Sequence, residues 1–181
     1  MKTLRTLFPF FAALLLSACS HSPDGERYRQ YTPDFDLFAF FDGNVRAWGI
    51  VQNYSGDVVQ RFTVDIQGTV INDEELQLDE SFTYMQGEGV KQRVWRLKQT
   101  KDGLVHGQAD DIHYPATGQR FGNAFQFTYD MDLPVDDSYY LVSFDDWMWM
   151  IDNNTLMNRS YIKKWGVVVA EVTIFMQKQP M

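Results

Sequence analysis

Three histidines, one cysteine and a formal net charge of −8 over 181 residues set narrow limits on the chemistry available to this chain. No G-x-S-x-G elbow, H-E-x-x-H pair, phosphate-binding glycine loop or C-x-x-C pair is spelled. Asp110, Asp111 and His113 are the only acidic and imidazole groups close together in sequence. Such groups can hold a metal ion, but these stand where a strand runs into Tyr114-Pro115, and a solvated strand end accounts for them. Asp145-Asp146 and Asp152-Asn153-Asn154 lack the spacing and terminal Glu of a calcium loop. No catalytic residue, metal or cofactor is therefore expected, and the chain reads as a non-enzyme. What remains is binding chemistry spread over strands. Arg46, Arg93, Arg96, Arg159, Tyr84 and Tyr161 are candidates for the polar end of a ligand, and Trp48, Trp147 and Trp149 for its apolar part.

The single cysteine is Cys19, too few for a disulfide within one chain. Ahead of it, Lys2 and Arg5 supply a positive start and Leu7 to Leu16 an apolar run broken only by Pro9. That run is too short to span a bilayer, which takes about 20 residues, so residues 1–18 read as a cleaved export signal. Leu16-Ser17-Ala18-Cys19 resembles the lipobox of bacterial lipoproteins. The resemblance implies that the Cys19 thiol receives a diacylglycerol, that a peptidase cuts before it, and that the new amino group is acylated. Two or three acyl chains give stable anchoring, at about 0.8 kcal/mol per buried CH₂. Ser20 stands where an Asp would favour inner-membrane retention, so the resemblance implies the outer membrane, facing the periplasm. Residues 19–33 are polar, with two prolines and a glycine, and read as the lipidated end and a flexible tether.

From residue 34 to 181 the dominant signal is period two. Phe62, Val64, Ile66 and Val70 alternate with polar neighbours, as do Leu76, Leu78, Phe82 and Tyr84, and Phe121, Phe125, Phe127, Tyr129 and Met131. This is the pattern of strands with one buried face. Turn pairs such as Asp42-Gly43, Ser55-Gly56, Asp102-Gly103 and Asn153-Asn154 separate the runs. Ten antiparallel strands are predicted, at 35–41, 44–53, 57–71, 75–86, 89–99, 104–113, 119–131, 138–151, 156–164 and 167–177. A short helix or turn is predicted near 114–118 or 133–137. So many strands expose two edges unless the sheet closes, and about 145 residues is the size of a lipocalin-like barrel that encloses one ligand. A β-sandwich is the alternative.

Two anomalies mark the strands. Trp147, Trp149 and Ile151 share one face of a segment whose other face carries Phe144, Met148 and Met150, so it is apolar on both sides. One side belongs to the core. The other is covered by a loop or the tether, or it meets a membrane surface or ligand. Secondly, Glu80 interrupts an apolar strand face, Arg46 shares a face with Trp48 and Ile50, and Glu171 shares one with Val167, Val169 and Phe175. Charged groups in such places are paired, hydrated or at a barrel mouth.

The lipobox, the stretch Phe40-Phe41-Asp42-Gly43-Asn44-Val45-Arg46-Ala47-Trp48-Gly49 and the stretch Trp147 to Asn154 resemble a family of bacterial lipoproteins described as domain of unknown function 3833. The resemblance covers nearly the whole mature chain and brings no catalytic residue or cofactor with it. It implies a lipid-related role. Lipocalins are similar in architecture alone, since their G-x-W is absent and Trp48-Gly49 stands in reverse order. The expected function is a lipid-anchored protein whose barrel binds or shields an apolar or amphiphilic small molecule, a fatty acid or lipid, in envelope lipid homeostasis. A structural or assembly partner of another envelope protein is the alternative, and an enzyme acting on lipid or envelope polymer the third. The acidic balance opposes a nucleic-acid partner. Charged and polar outer faces at 57–71 and 75–86 oppose a membrane-spanning barrel. No protein partner is identifiable.

Overall fold

The computed structural model describes residues 22–135 and 138–180; the stretch expected to be an export signal, and Cys19, lie outside them. The alternation in the sequence folds as ten strands: β1 Gly43–Asn53, β2 Val58–Asn72, β3 Glu75–Tyr84, β4 Gln92–Gln99, β5 Val105–Gln108, β6 Ala116–Phe121, β7 Ala124–Val135, β8 Ser138–Asp152, β9 Thr155–Lys164 and β10 Val167–Lys178. Each pairs antiparallel with the next, and β1 pairs with β10 from Val45↔Lys178 to Asn53↔Ala170, which closes a barrel. Closure removes both sheet edges, as the strand count demanded. The sandwich alternative is thereby excluded.

One end of the barrel has a floor. Leu37–Phe41 forms a short helix, α1, where a strand over 35–41 was expected. The Asp36 carboxylate accepts from the Ala39 N–H at 3.0 Å, an N-cap. Leu37, Phe40 and Phe41 are buried. Their i, i+3, i+4 spacing is that of one helix face, and it outweighs the alternation of Asp34 to Leu37. At the other end of α1, Lys178 Nζ donates to the Ala39 and Asp42 carbonyls, each at 2.6 Å.

A second correction concerns 119–131, which is two strands joined at Gly122-Asn123. Gly122 adopts φ +56°, a turn conformation that interrupts the run although the aromatic alternation reads through it. Phe121 therefore points outward and Phe125 inward. The helix or turn expected near 114–118 or 133–137 is strand from Ala116 onward and up to Val135.

The stretch expected to be a free tether lies, from Ser22 on, against the outer wall. Gly25–Tyr28 forms a single 3₁₀ turn, with Gly25 buried against the Phe121 ring. Tyr28 packs on Trp147 and Trp149 at centroid distances of 5.9 and 5.8 Å. Phe35 N–H donates to the Gly122 carbonyl at 2.8 Å and its ring stacks on Phe125 at 5.0 Å. These aromatic contacts outweigh the polar composition of the segment. They also explain why β8 is apolar on both faces: its outer indoles have a cover in the same chain.

Candidate functional site

The barrel encloses a cavity of about 900 Å³, within the range of small-molecule sites. Inward positions of β2, β3, β4 and β7 supply its aromatic wall through Phe62, Phe82, Tyr84, Trp95, Phe125 and Phe127. Helix α1 closes it below. Above, it opens between the β1–β2, β3–β4 and β7–β8 ends, where Val59, Gly89 and Pro134 line it.

A polar belt crosses this apolar space. Glu80 on β3 stands in direct register with Arg93 on β4, both facing inward. Arg93 does not turn to Glu80. Its Nε and Nη2 donate to Asp111 Oδ2 at 2.9 and 2.6 Å, and its guanidinium lies over Phe82 and Trp95. On the facing wall Tyr129 donates to Asp146 Oδ2 at 3.3 Å, and Ser160 donates to Asn158 Oδ1 at 3.4 Å. Among the described residues, Asp146 Oδ1 is buried without a partner, and so is Asp111 Oδ1.

Burial dominates the electrostatics of the belt. It pushes the Glu80 carboxyl up to about 7, opposed by the Arg93 charge and helped by Asp111 and Asp146. Burial likewise takes Asp146 to about 7, against the nearby Ser160 hydroxyl and the bond from Tyr129. Desolvation works against the Arg93 charge, but Tyr129, Glu80 and Asp111 outweigh it and hold the guanidinium above its ordinary value. Both carboxyls thus sit at the midpoint of titration near neutral pH.

Of the residues proposed from sequence to hold a ligand, Tyr84 and Arg93 line the cavity. The others face outward. Arg46 pairs with Asp65 and donates to Thr63 Oγ1 on the outer wall, where Trp48 packs on Phe175. The inner face of β1 is instead Val45, Ala47, Gly49 and Val51, and two apolar faces on one strand leave parity undecided. Arg96 is exposed beside the inward Trp95 and Leu97. Arg159 reaches Glu171 at 3.6 Å outside the barrel. Trp147, Trp149 and Tyr161 are outward too, in the cluster that Tyr28 covers. Residues that were not proposed as ligand-binding groups are Glu80, Asp146, Tyr129, Asn158 and Ser160. Glu80 had stood out as a charge on an apolar face, and Asp146 shares the parity of Phe144, Met148 and Met150. The cluster Asp110, Asp111, His113 splits in space. His113 Nε2 lies 2.8 Å from Asp132 on the surface, while Asp111 turns to Arg93.

Among solved structures, the barrel is similar to an S-type phycobiliprotein lyase from Guillardia theta, with a TM-score of 0.54 at 13% identity over 88% of this chain and 100% of that one. At that identity the likeness shows a shared fold. A search of curated proteins finds no match. The model of one family, described as protein of unknown function (DUF3833), matches residues 13–178. With nearly the whole chain so matched, the protein belongs to the DUF3833 family.

Proposed function

We propose that the protein is exported, lipidated at Cys19 and held at the outer membrane facing the periplasm, where its barrel binds an apolar or amphiphilic small molecule of the lipid class. The cavity carries this reading: about 900 Å³ of aromatic-walled space, closed by α1 at one end and open at the other, with a polar belt inside. An interior this roomy forgoes packing that a purely structural barrel would use. The anchor rests on the Leu16 to Cys19 motif. The likeness to a lyase fold is consistent with a barrel that handles a small molecule.

Native mass spectrometry of the protein extracted from the cell envelope tests both halves. The expected spectrum shows a chain beginning at Cys19 with added acyl mass, plus a non-covalent adduct released on unfolding. An unacylated chain overturns the anchor. Repeated recovery without an adduct, together with failure to take up an apolar fluorophore, overturns the binding role. Catalysis inside the cavity is a second reading, favoured by two carboxyls near the midpoint of titration. It requires the adduct to be converted over time and the conversion to stop in Glu80→Gln.

A further inference from the structure

We infer that the cavity selects amphiphiles with a cationic, hydrogen-bond-donating head over those ending in a carboxylate. This rests on the reading of the cavity as an amphiphile site. A barrel that held a fatty-acid anion would offer it a free cation. Here the Arg93 fork is already engaged with Asp111 through two N–H groups and flanked by two aromatic rings. The open valences are acceptors. Glu80 faces the cavity with no hydrogen bond to another described residue, and Asp146, 8% exposed, lines the cavity with Oδ1 unpartnered. Of the donors nearby, Asn158 Nδ2 goes to the Trp147 carbonyl at 3.1 Å and Gln60 Nε2 at the mouth to the carbonyls of Gln86 and Glu88, both at 3.2 Å, which leaves the Tyr84 hydroxyl as a neutral donor and no free cation among the described residues. A carboxylate ligand would add negative charge beside two carboxyls that form no ion pair with a described residue, whereas an ammonium would pair with them through charge-assisted bonds.

Displacement of an apolar fluorophore from the full mature protein by dodecylamine, dodecanol and dodecanoate separates the cases. The amine is expected to bind at least about tenfold more tightly than the carboxylate, with the alcohol between, because charge-assisted bonds are roughly twice as strong as neutral ones. Glu80→Gln should narrow the gap between amine and carboxylate, and Glu80→Gln with Asp146→Asn should close it, since both acceptors that favour the amine are then neutral. Dodecanoate binding as tightly as the amine would overturn the inference alone. If none of the three displaces the probe, the amphiphile reading falls and takes the inference with it.

A separate observation, the character of the two barrel ends, points to the open end resting on the bilayer that holds the anchor. The turns at the floor are polar, at Asn72 to Glu75, Thr100 to Gly103 and Asp152 to Asn154, with the aliphatic Val70, Ile71 and Ile151 exposed beside them but no exposed aromatic ring among the described residues there. The ends around the mouth expose Tyr54, Met85, Tyr139, Leu141, Trp165 and Val167. Trp165 is 92% exposed at the tip of the β9–β10 turn and holds φ +52°, a conformation costly for a bulky side chain and suited to Asn or Gly. Lys164 Nζ lies 4.0 Å from the Tyr140 ring and 5.0 Å from the Trp165 ring, so aromatic and basic groups stand together as at a membrane interface. The chain runs in the direction of the mouth without reaching it among the described residues. From Phe35 at the floor it climbs past Trp149 to Trp147, whose Nε1 donates to Ser22 Oγ at 3.3 Å. Cys19 is three residues further on, a reach of at most about 10 Å.

Acylated protein in phosphatidylethanolamine and phosphatidylglycerol vesicles with brominated acyl chains tests the seating. Trp165→Asn restores a favourable turn residue, so folding is preserved. The emission lost between wild type and this variant is expected to be strongly quenched by the bromines. Unquenched Trp165 emission in protein that floats with the vesicles would overturn the seating and leave the anchor standing. Protein that fails to float would overturn the anchor and the seating with it.

Discussion

Gly68→Ala is expected to destabilise the barrel by about 3–5 kcal/mol, a size reached only when a core contact cannot relax. Gly68 sits on β2 facing inward, between Gly43 on β1 and Leu78 on β3. A Cβ built there would lie 1.7 Å from the Phe41 carbonyl oxygen and 2.7 Å from its carbon. Both are backbone atoms, so no rotamer change relieves the clash. Helix α1 would have to lift, yet its end is fixed by buried Phe40 and Phe41 and by Lys178 on the Ala39 and Asp42 carbonyls. Lifting it exposes the apolar face that forms the floor, at roughly 25 cal/mol per Å². Urea unfolding of Gly68→Ala against Gln67→Ala, its outward neighbour, measures this. Gln67→Ala should stay within about 0.5 kcal/mol of wild type, as surface changes do. Equal midpoints for the two variants would show that the floor is not held by this approach. The floorless variant should also bind the apolar fluorophore more weakly.

The closed barrel was legible because its strands alternate cleanly on one face and because ten of them, joined by short turns, have no other way to hide two edges. What period two cannot settle is parity on a strand apolar on both faces. On β1 the choice lay between Val45, Ala47 and Val51 on one side and Arg46, Trp48 and Ile50 on the other; the large residues looked like a binding wall and are the outer surface. On β8 the indoles of Trp147 and Trp149 drew attention from Asp146, which shares its face with Phe144 and Met148. The cover over those indoles comes from Tyr28, more than a hundred residues away in sequence, and no local pattern announces it. Strands with one apolar face were more informative. Glu80 on β3, in step with Leu78 and Phe82, and Arg93 on β4, in step with Trp95 and Leu97, had to point inward once the barrel closed. Their neighbour Asp111 was hidden because an irregular segment after β5 carries it, although the β4–β5 register, with Arg96 opposite Gln108, continues to set Asp111 against Arg93.

Arg93→Met should be the costliest change inside the cavity, about 3–5 kcal/mol at pH 8, because it strands Asp111 and removes the cation facing Glu80. The pH dependence distinguishes this from lost packing. Glu80 ordinarily titrates at 4.5 and in the folded barrel at about 7. The folded state therefore holds the proton more tightly, and the stability this gives is complete below 4.5 and lost as pH rises through 7. Between pH 5 and pH 8 the wild type should lose about 2–3 kcal/mol on this account, and a similar amount from Asp146, which moves from 3.8 to about 7. Glu80→Gln should remove its share of that slope and be more stable than wild type at pH 8. In Arg93→Met, Glu80 keeps its proton to higher pH, so the loss at pH 5 shrinks to the part owed to Asp111, and adding Asp111→Asn should recover that part. Urea unfolding of the four proteins at the two pH values gives the answer. A loss in Arg93→Met that is the same at both, and that Asp111→Asn does not repair, would mean that Arg93 serves as filler between Phe82 and Trp95 and that the polar belt is not an electrostatic unit.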